Sequence, residues 1–465
     1  MLIRNAEIDF GRRCDVRIAN GIVIEIGDLP ARPGDGGEID AGGAALLPGL
    51  HDHHVHLLAF AAARNSLQCG PPFVTTEQQL KAALTSRLAA QPGQWIRGVG
   101  YHESVAGDID RHWLDKVALC APVRVQHRGG RLWILNSLAL DLVAAGDPAS
   151  PIERNTGRLY DGDAWLRGRT GLMRPSLRAA SRFLLSRGVT GITDATPGNG
   201  VAEFDLFRGA QSDGDLAQDV LMMGAAGLEA ATGSPGLGVA HRKIHLREAA
   251  LPDLAETAAE IARCHSLDRP VAIHCVTLTE LLFALGALDE AGSHPGDRIE
   301  HAAVAPPETL PLIAAHGPTV VTQPNFIAER GDAYRTEVDP ADRPWLYRLR
   351  GFREAGIGLA GSTDAPFGDA DPWKAMAAAV DRRTAGGVVM GSDEALTPEE
   401  SLGLFLGALP DPAGPPRRIA VGAPADLCLI DRPWAKARDS LADVAVAKTL
   451  KAGKIVWPGE GGAQR

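Results

Sequence analysis

Four histidines and an aspartate crowd the stretch LLPGLHDHHVHLL at residues 46–58. Side chains on a β-strand alternate faces, so His54 and His56 point the same way and can both reach one metal ion. Asp52 shares that face, whereas His51 and His53 take the other. Neutral imidazoles and carboxylates are the donors that borderline zinc favours, and a divalent metal held by them lowers the pKa of its water to roughly 7. The chemistry in prospect is hydrolysis by hydroxide generated at neutral pH. A lone His-x-His is explained about as well by two loop histidines bonded to backbone, so further donors have to be found.

Later segments supply them. Lys243-Ile244-His245, Val271-Ala272-Ile273-His274, Arg298-Ile299-Glu300-His301 and Gly358-Leu359-Ala360-Gly361-Ser362-Thr363-Asp364 each end an apolar run on a polar residue. His274, His301 and Asp364 are therefore candidate ligands, and Asp364 is also a candidate proton acceptor, although before Pro366 it has an alternative as a turn or helix-capping carboxylate. Lys243, within the mixed-charge segment HRKIHLRE, reads equally as a surface lysine. His245 shares its face, as a substrate contact or a substitute ligand, while Cys275 has the opposite parity and suits packing. Asp194 closes another strand-like run and is expected to orient an imidazole. His127, Arg128 and Arg131 in HRGGRLWILNS suit a substrate carboxylate, because a planar guanidinium pairs with one bidentately. Arg330 and Arg335, in a polar stretch read as a loop and candidate lid over 328–345, invite the same reading.

Stepping outward to the elements, Ala44 to Leu47 ahead of Pro48-Gly49 reads as a buried parallel strand opening into a loop. Apolar segments alternate with helical stretches at 76–90, 174–187 and 251–265, which is the βαβ rhythm of a parallel barrel. About eight barrel strands can be found, with 95–100, 122–127 and 188–194 as competing candidates among the early ones. Residues at the C-terminal ends of barrel strands converge on one pocket, so donors far apart in sequence can meet. Short strands at 2–4, 15–18 and 22–26, with an Asn20-Gly21 turn, are matched by others at 425–430, 444–447 and 451–457. The two ends should form one sheet domain, residues 1–45 with 417–465, beside a hydrolase barrel over 46–416.

A chain of 465 residues with 45% hydrophobic and 22% charged residues has material for a large core. No apolar run is long enough to span a bilayer, and the N-terminus lacks the features of a signal peptide. A cytoplasmic enzyme is expected. Six cysteines without paired spacing argue against a thiolate zinc site, and a net charge of −10 argues against nucleic-acid binding.

Together, PGLHDHHVHL (48–57), GVTGITDAT (188–196), AIHC (272–275), RIEHA (298–302), GSTDAPF (361–367) and VGAPADLCLID (421–431) resemble the amidohydrolase superfamily, in its amidohydrolase-3 branch, over nearly the full length. The resemblance implies a (β/α)8 TIM-like barrel with a β-sandwich built from both termini. It also implies that His54 and His56 hold the more buried metal, His274 and His301 the more exposed one, and that a carboxylated Lys243 bridges them, with Asp364 as ligand and proton shuttle. One departure is that Lys243-Ile244 is followed by HLREAALPD, which leaves one or two divalent metals, zinc by the donor set, open. The expected reaction is hydrolysis of a non-peptide C–N bond in a small N-acyl, N-formyl or cyclic amide. Alternatives are a cyclic amidine deaminase, a lactonase or esterase and, from another class, a non-catalytic binding protein. The partner is a small-molecule substrate, with neither nucleic acid nor membrane, and a homodimer is left open.

Overall fold

Continuous burial, rather than alternation, marks a parallel sheet covered on both faces. In the computed structural model, which describes residues 1–64, 66–118, 120–147, 149–169 and 175–458, eight strands make such a sheet. They are β1 (Leu50–Val55), β2 (Val189–Asp194), β3 (Asp219–Gly224), β4 (Leu237–His245), β5 (Val271–Cys275), β6 (Arg298–His301), β7 (Thr319–Thr322) and β8 (Leu359–Gly361). Strands β1, β2 and β6 are buried at every position. All neighbours pair in parallel, in the order β8-β7-β6-β5-β4-β3-β2-β1, a nearly closed (β/α)8 barrel. Helices between the strands are started by local chemistry. Thr277 and Thr397, for example, cap their helices reciprocally with Glu280 and Glu400.

The chain divides into two compact units, Met1–Leu57 with Leu177–Arg465, and Leu58–Ser176. The first holds the barrel and the terminal strands. Leu2–Ile8, Arg12–Ala19, Ile22–Gly27 and Glu38–Asp40 make one sheet; Leu46–Pro48, Leu427–Ile430, Val446–Lys451 and Lys454–Trp457 make another. Alternate residues of the two, Ile3, Val16 and Ile18 from one and Leu46, Leu427 and Leu429 from the other, share one apolar core, so the termini do form a β-sandwich. The hairpin expected at Asn20-Gly21 is there, both residues at positive φ (51° and 78°), as a two-residue turn matched to strand twist requires.

Two expectations are corrected. The run ending at Leu47 is not the barrel strand: Leu46–Pro48 pairs antiparallel with Leu427–Ile430, and the barrel strand begins after Gly49. Candidate strands at 95–100 and 122–127 are not in the barrel either. They correspond to Ile96–Tyr101 and Val123–His127, central in a five-stranded mixed sheet of the second unit. Their apolar alternation is real, but Leu80, Leu84 and Ile134 of their own unit satisfy it. In the same unit the Asn136 of HRGGRLWILNS is fully buried and spends its amide on Val123, Ala139, Ala118 and Ala121. Of the six cysteines, Cys69, Cys264, Cys275 and Cys428 are buried and free. Among the described residues no helix is long and apolar enough to cross a membrane.

Gly49 is the joint between sandwich and barrel, where its N–H bonds Asp426 O and that of Leu50 bonds Gly188 O. A Cβ at Gly49 would sit 2.3 Å from Thr190 Oγ1 and 2.4 Å from its Cγ2. Thr190 is branched and wholly buried, so it has nowhere to turn. Gly49→Ala should therefore destabilise by about 1–3 kcal/mol; an unchanged urea midpoint would show that this joint is slack.

Candidate metal centre

Five barrel strands deliver the sequence-predicted donors to one place. Within the first unit, His54 Nε2 lies 3.6 Å and His56 Nε2 3.3 Å from Asp364 Oδ1. The rings of His54 and His56 are 5.3 Å apart, those of His54 and His301 4.8 Å, and those of His301 and His274 4.5 Å. Lys243 lies on β4 beside β5, its register partner Ala272 two residues before His274. Its side chain is 2% exposed and its Nζ has no hydrogen-bond partner.

Three of the four imidazoles are oriented through Nδ1, which leaves Nε2 for the centre. His54 Nδ1 bonds the Glu300 carboxylate, His56 Nδ1 the Thr196 hydroxyl at 3.1 Å, and His301 Nδ1 the Gln323 amide oxygen at 2.7 Å. A carboxylate can only accept, so His54 carries its proton on Nδ1 and presents a lone pair at Nε2. Glu300 is in turn held by Arg298 (Nε at 2.8 Å), whose Nη2 also bonds His53 O at 2.7 Å. Neither Glu300 nor Gln323 was singled out from sequence. The signal for Glu300 was present, since it shares inward parity with Arg298 on β6, but the motif RIEHA draws the eye to its histidine.

Asp52 was placed on the inward face and does a different job. It is wholly buried and accepts from His54 N (3.3 Å), Thr363 N (3.1 Å) and Thr363 Oγ1, tying β1 to the segment that carries Asp364. Among the described residues Asp194 makes no hydrogen bond to an imidazole. Its carboxylate holds Leu57 N at 2.7 Å and Thr196 N at 3.1 Å, so it sets the backbone beside His56 while Thr196 orients the imidazole. His51 bonds Gly407 O on the outer face.

Electrostatics suit metal capture. Burial, then the Lys243 charge, pushes His54 down to about 3, and burial also lowers His274 and His301, so these rings are neutral donors near neutrality. Burial opposes ionisation of Asp364, yet His56 Nε2 facing it at 3.3 Å and the His54 and His301 rings hold it well below the usual carboxylate range. Burial pushes Lys243 down to about 8 against the pull of Glu300. Neutral Nε2 donors, an ionised carboxylate oxygen without a hydrogen bond and an orphaned buried amine fit a metal centre. They do not fit a self-sufficient polar core.

The remaining candidates are placed as follows. His245 lies at the exposed end of β4, its ring stacked on His274 at 4.3 Å. Cys275 is packed, as its parity suggested, with Sγ against Ile273 O and Glu280 O. His127, Arg128 and Arg131 belong to the second unit. There Arg131 is already forked onto Asp161 at 2.8–2.9 Å. His127 Nε2 lies 3.2 Å from Glu103, which with His102 makes a second trio of metal-ligand types. Their Nδ1 atoms accept from Gly129 N and Ser104 N, which leaves each neutral ring its proton on Nε2 and no lone pair for a metal there. Arg330 and Arg335 do not lie in a loop, because Asn325–Glu337 is a helix, α1. Gly331 lies within this helix, where a Cβ would meet Thr384 Cγ2 at 2.5 Å, so the glycine serves close packing.

Fold and site define a barrel hydrolase of the metal-dependent kind. The model of the amidohydrolase family matches residues 37–457, and the chain belongs to that family, whose members use divalent metal to hydrolyse carbon–nitrogen bonds. It is 26% identical over 488 residues to the N-substituted formamide deformylase of Arthrobacter pascens, across 90% of this chain and 89% of that one. An uncharacterised metal-dependent hydrolase from Pyrococcus horikoshii superposes with a TM-score of 0.68 at 21% identity, covering 87% of this chain and 91% of that one. N-isopropylammelide isopropylaminohydrolase from Burkholderia multivorans gives 0.54 at 18% identity, covering 98% and 97%.

If Glu300 orients His54, Glu300→Gln should weaken metal binding by roughly 10–100-fold, measured by competition with a chromogenic chelator. Undiminished affinity in a folded variant would reduce Glu300 to a packing residue.

Proposed function

We propose that this protein hydrolyses the amide bond of a small N-acyl or N-formyl compound, with His54, His56, His274, His301, Asp364 and a carboxylated Lys243 as the donors to zinc. The observation that carries the reading is the convergence of His54 and His56 Nε2 on Asp364 Oδ1, with the His301 ring beside His54 and a buried, unpartnered Lys243 amine whose charge is felt at His54 and His301. His54 and His56 would hold one metal, and His274 and His301 a second. When bound, a divalent metal supplies a water acidified to a pKa of roughly 7 and polarises the substrate carbonyl.

The chain's own groups do the rest. Asp364, kept ionised by its imidazole neighbours, accepts the proton of the attacking water at a carboxylate oxygen. It then returns that proton to the leaving nitrogen as the C–N bond breaks, so that amide and water become carboxylic acid and amine. Glu300, Thr196 and Gln323 keep the three rings from rotating. Asp52 keeps Asp364 beside His54 by holding Thr363. The deformylase of Arthrobacter pascens supports an N-substituted formamide as a first substrate to try.

Chelation should abolish hydrolysis and zinc should restore it. Metal analysis of the intact chain should give two ions, falling to one in Lys243→Ala and lower again in His54→Ala. A panel of N-formyl and N-acyl amines, hydantoins and lactones identifies the bond; retention of both metal and hydrolysis in His54→Ala and Asp364→Ala would sink the assignment.

A further inference from the structure

Helix α1 carries a guanidinium beside the segment that bears Asp364. Arg330 lies with its charge centre 4.1 Å from the Phe326 ring centroid, and its Nη2 donates to Phe367 O. The Phe367 ring stands edge-on to His56 at 5.2 Å. Tyr334, Tyr347, Asp364 and Glu329 all lie close enough to feel the positive charge of Arg330. Among the described residues Arg330 makes no ion pair. Its neighbour Glu329 is engaged elsewhere, accepting from Asn325 Nδ2 at 2.9 Å and Asp369 N at 3.0 Å. A guanidinium has five N–H donors, and one backbone carbonyl and an aromatic face leave most of them unused.

The surroundings are apolar. Phe326, Leu346, Tyr347 and Met390 pack with Ala303 and Val304, which follow His301, and partly exposed Val276 and Leu278 follow His274. These apolar residues therefore follow the same strand ends that deliver the candidate ligands. Aliphatic and aromatic neighbours around a partly exposed guanidinium that makes no ion pair match a substrate with an apolar skeleton and a single negative charge.

We propose that Arg330 anchors a carboxylate of the substrate, so that the compound cleaved is an amide with an apolar side chain and a free carboxylate distal to the scissile bond. This rests on the amide-hydrolase reading above and narrows it. A planar fork that pairs bidentately with a carboxylate has no comparable partner in a neutral amide, so discrimination between the two is the signature.

The test uses the full-length, zinc-loaded protein with N-formylphenylalanine and N-formylphenylalaninamide, in wild type, Arg330→Met and Arg330→Lys. Expected is a wild-type preference for the free acid. In Arg330→Met the acid-to-amide ratio of kcat/KM should fall roughly ten- to hundredfold, with Arg330→Lys intermediate. If Arg330 served only to hold Phe367 O, both compounds would suffer alike and the ratio would not move, which overturns the proposal. Should wild type cleave neither compound, calorimetric binding of N-formylphenylalanine still decides. Binding weakened at least tenfold in Arg330→Met upholds the anchor while the amide reading falls, and equal or undetectable binding overturns the anchor.

Discussion

Closure of the barrel is the constraint on which the site depends. Among the described residues the ladder runs from β1 round to β8 through seven parallel pairings and stops there. Unpaired strand edges inside a protein would strand backbone donors and acceptors. The gap is bridged by Asp364 N to His54 O (3.0 Å) and His56 N to Ala365 O (2.8 Å), with the Asp52 carboxylate on Thr363 beside them. Lower down, Leu404 O and Phe405 O bond Gly361 N and His51 N. Backbone atoms of His54, His56 and Asp364 thus complete the barrel, and their side chains are brought together by the same bonds. A change that loosens the seam moves the site.

Buried charge is the second constraint. Removing an ion from water costs several kcal/mol unless partners replace the solvent. Arg298 donates to Glu300 through Nε and Nη2, and Glu300 also accepts from His54 Nδ1. Lys243 lies near both without a hydrogen bond to either, which is why its proton is held so loosely. An amine in that position is stabilised by shedding its proton or by gaining a negative group of its own. Carboxylation does the latter, and it would convert an unsupported buried charge into a ligand.

Legibility in sequence follows how local each signal is. Strand parity separated His54 and His56 from His51 and His53, and apolar runs ending in polar residues picked out Lys243, His274, His301 and Asp364 without any knowledge of distance. The β-sandwich was readable because hairpin alternation is local. What failed needed three dimensions. Ile96–Tyr101 and Val123–His127 have barrel-like apolar content, but nothing local says which sheet will bury them. Leu46-Leu47 looks continuous with β1, yet Gly49 interrupts it because Thr190 leaves room for no side chain. Gln323 and Thr196 became partners of histidines only through the approach of neighbouring strand ends.

Helix α1 shows how such a barrel can alter its substrate without losing its chemistry. Residues four apart on a helix share a stripe. One stripe, Asn325 and Glu329, holds the loop after β8 through Thr363 O and Asp369 N, and the close approach leaves no space for a Cβ at Gly368, 2.3 Å from both Asn325 Nδ2 and Thr363 O. The adjacent stripe, Phe326, Arg330 and Tyr334, faces the apolar wall. Side chains on the second stripe are free to change the character of the wall while the first keeps Asp364 at the seam. Arg330 is the member that touches both, through Phe367 O, so its replacement has a structural component as well as a chemical one. Only a comparison between charged and neutral ligands of one shape separates the two.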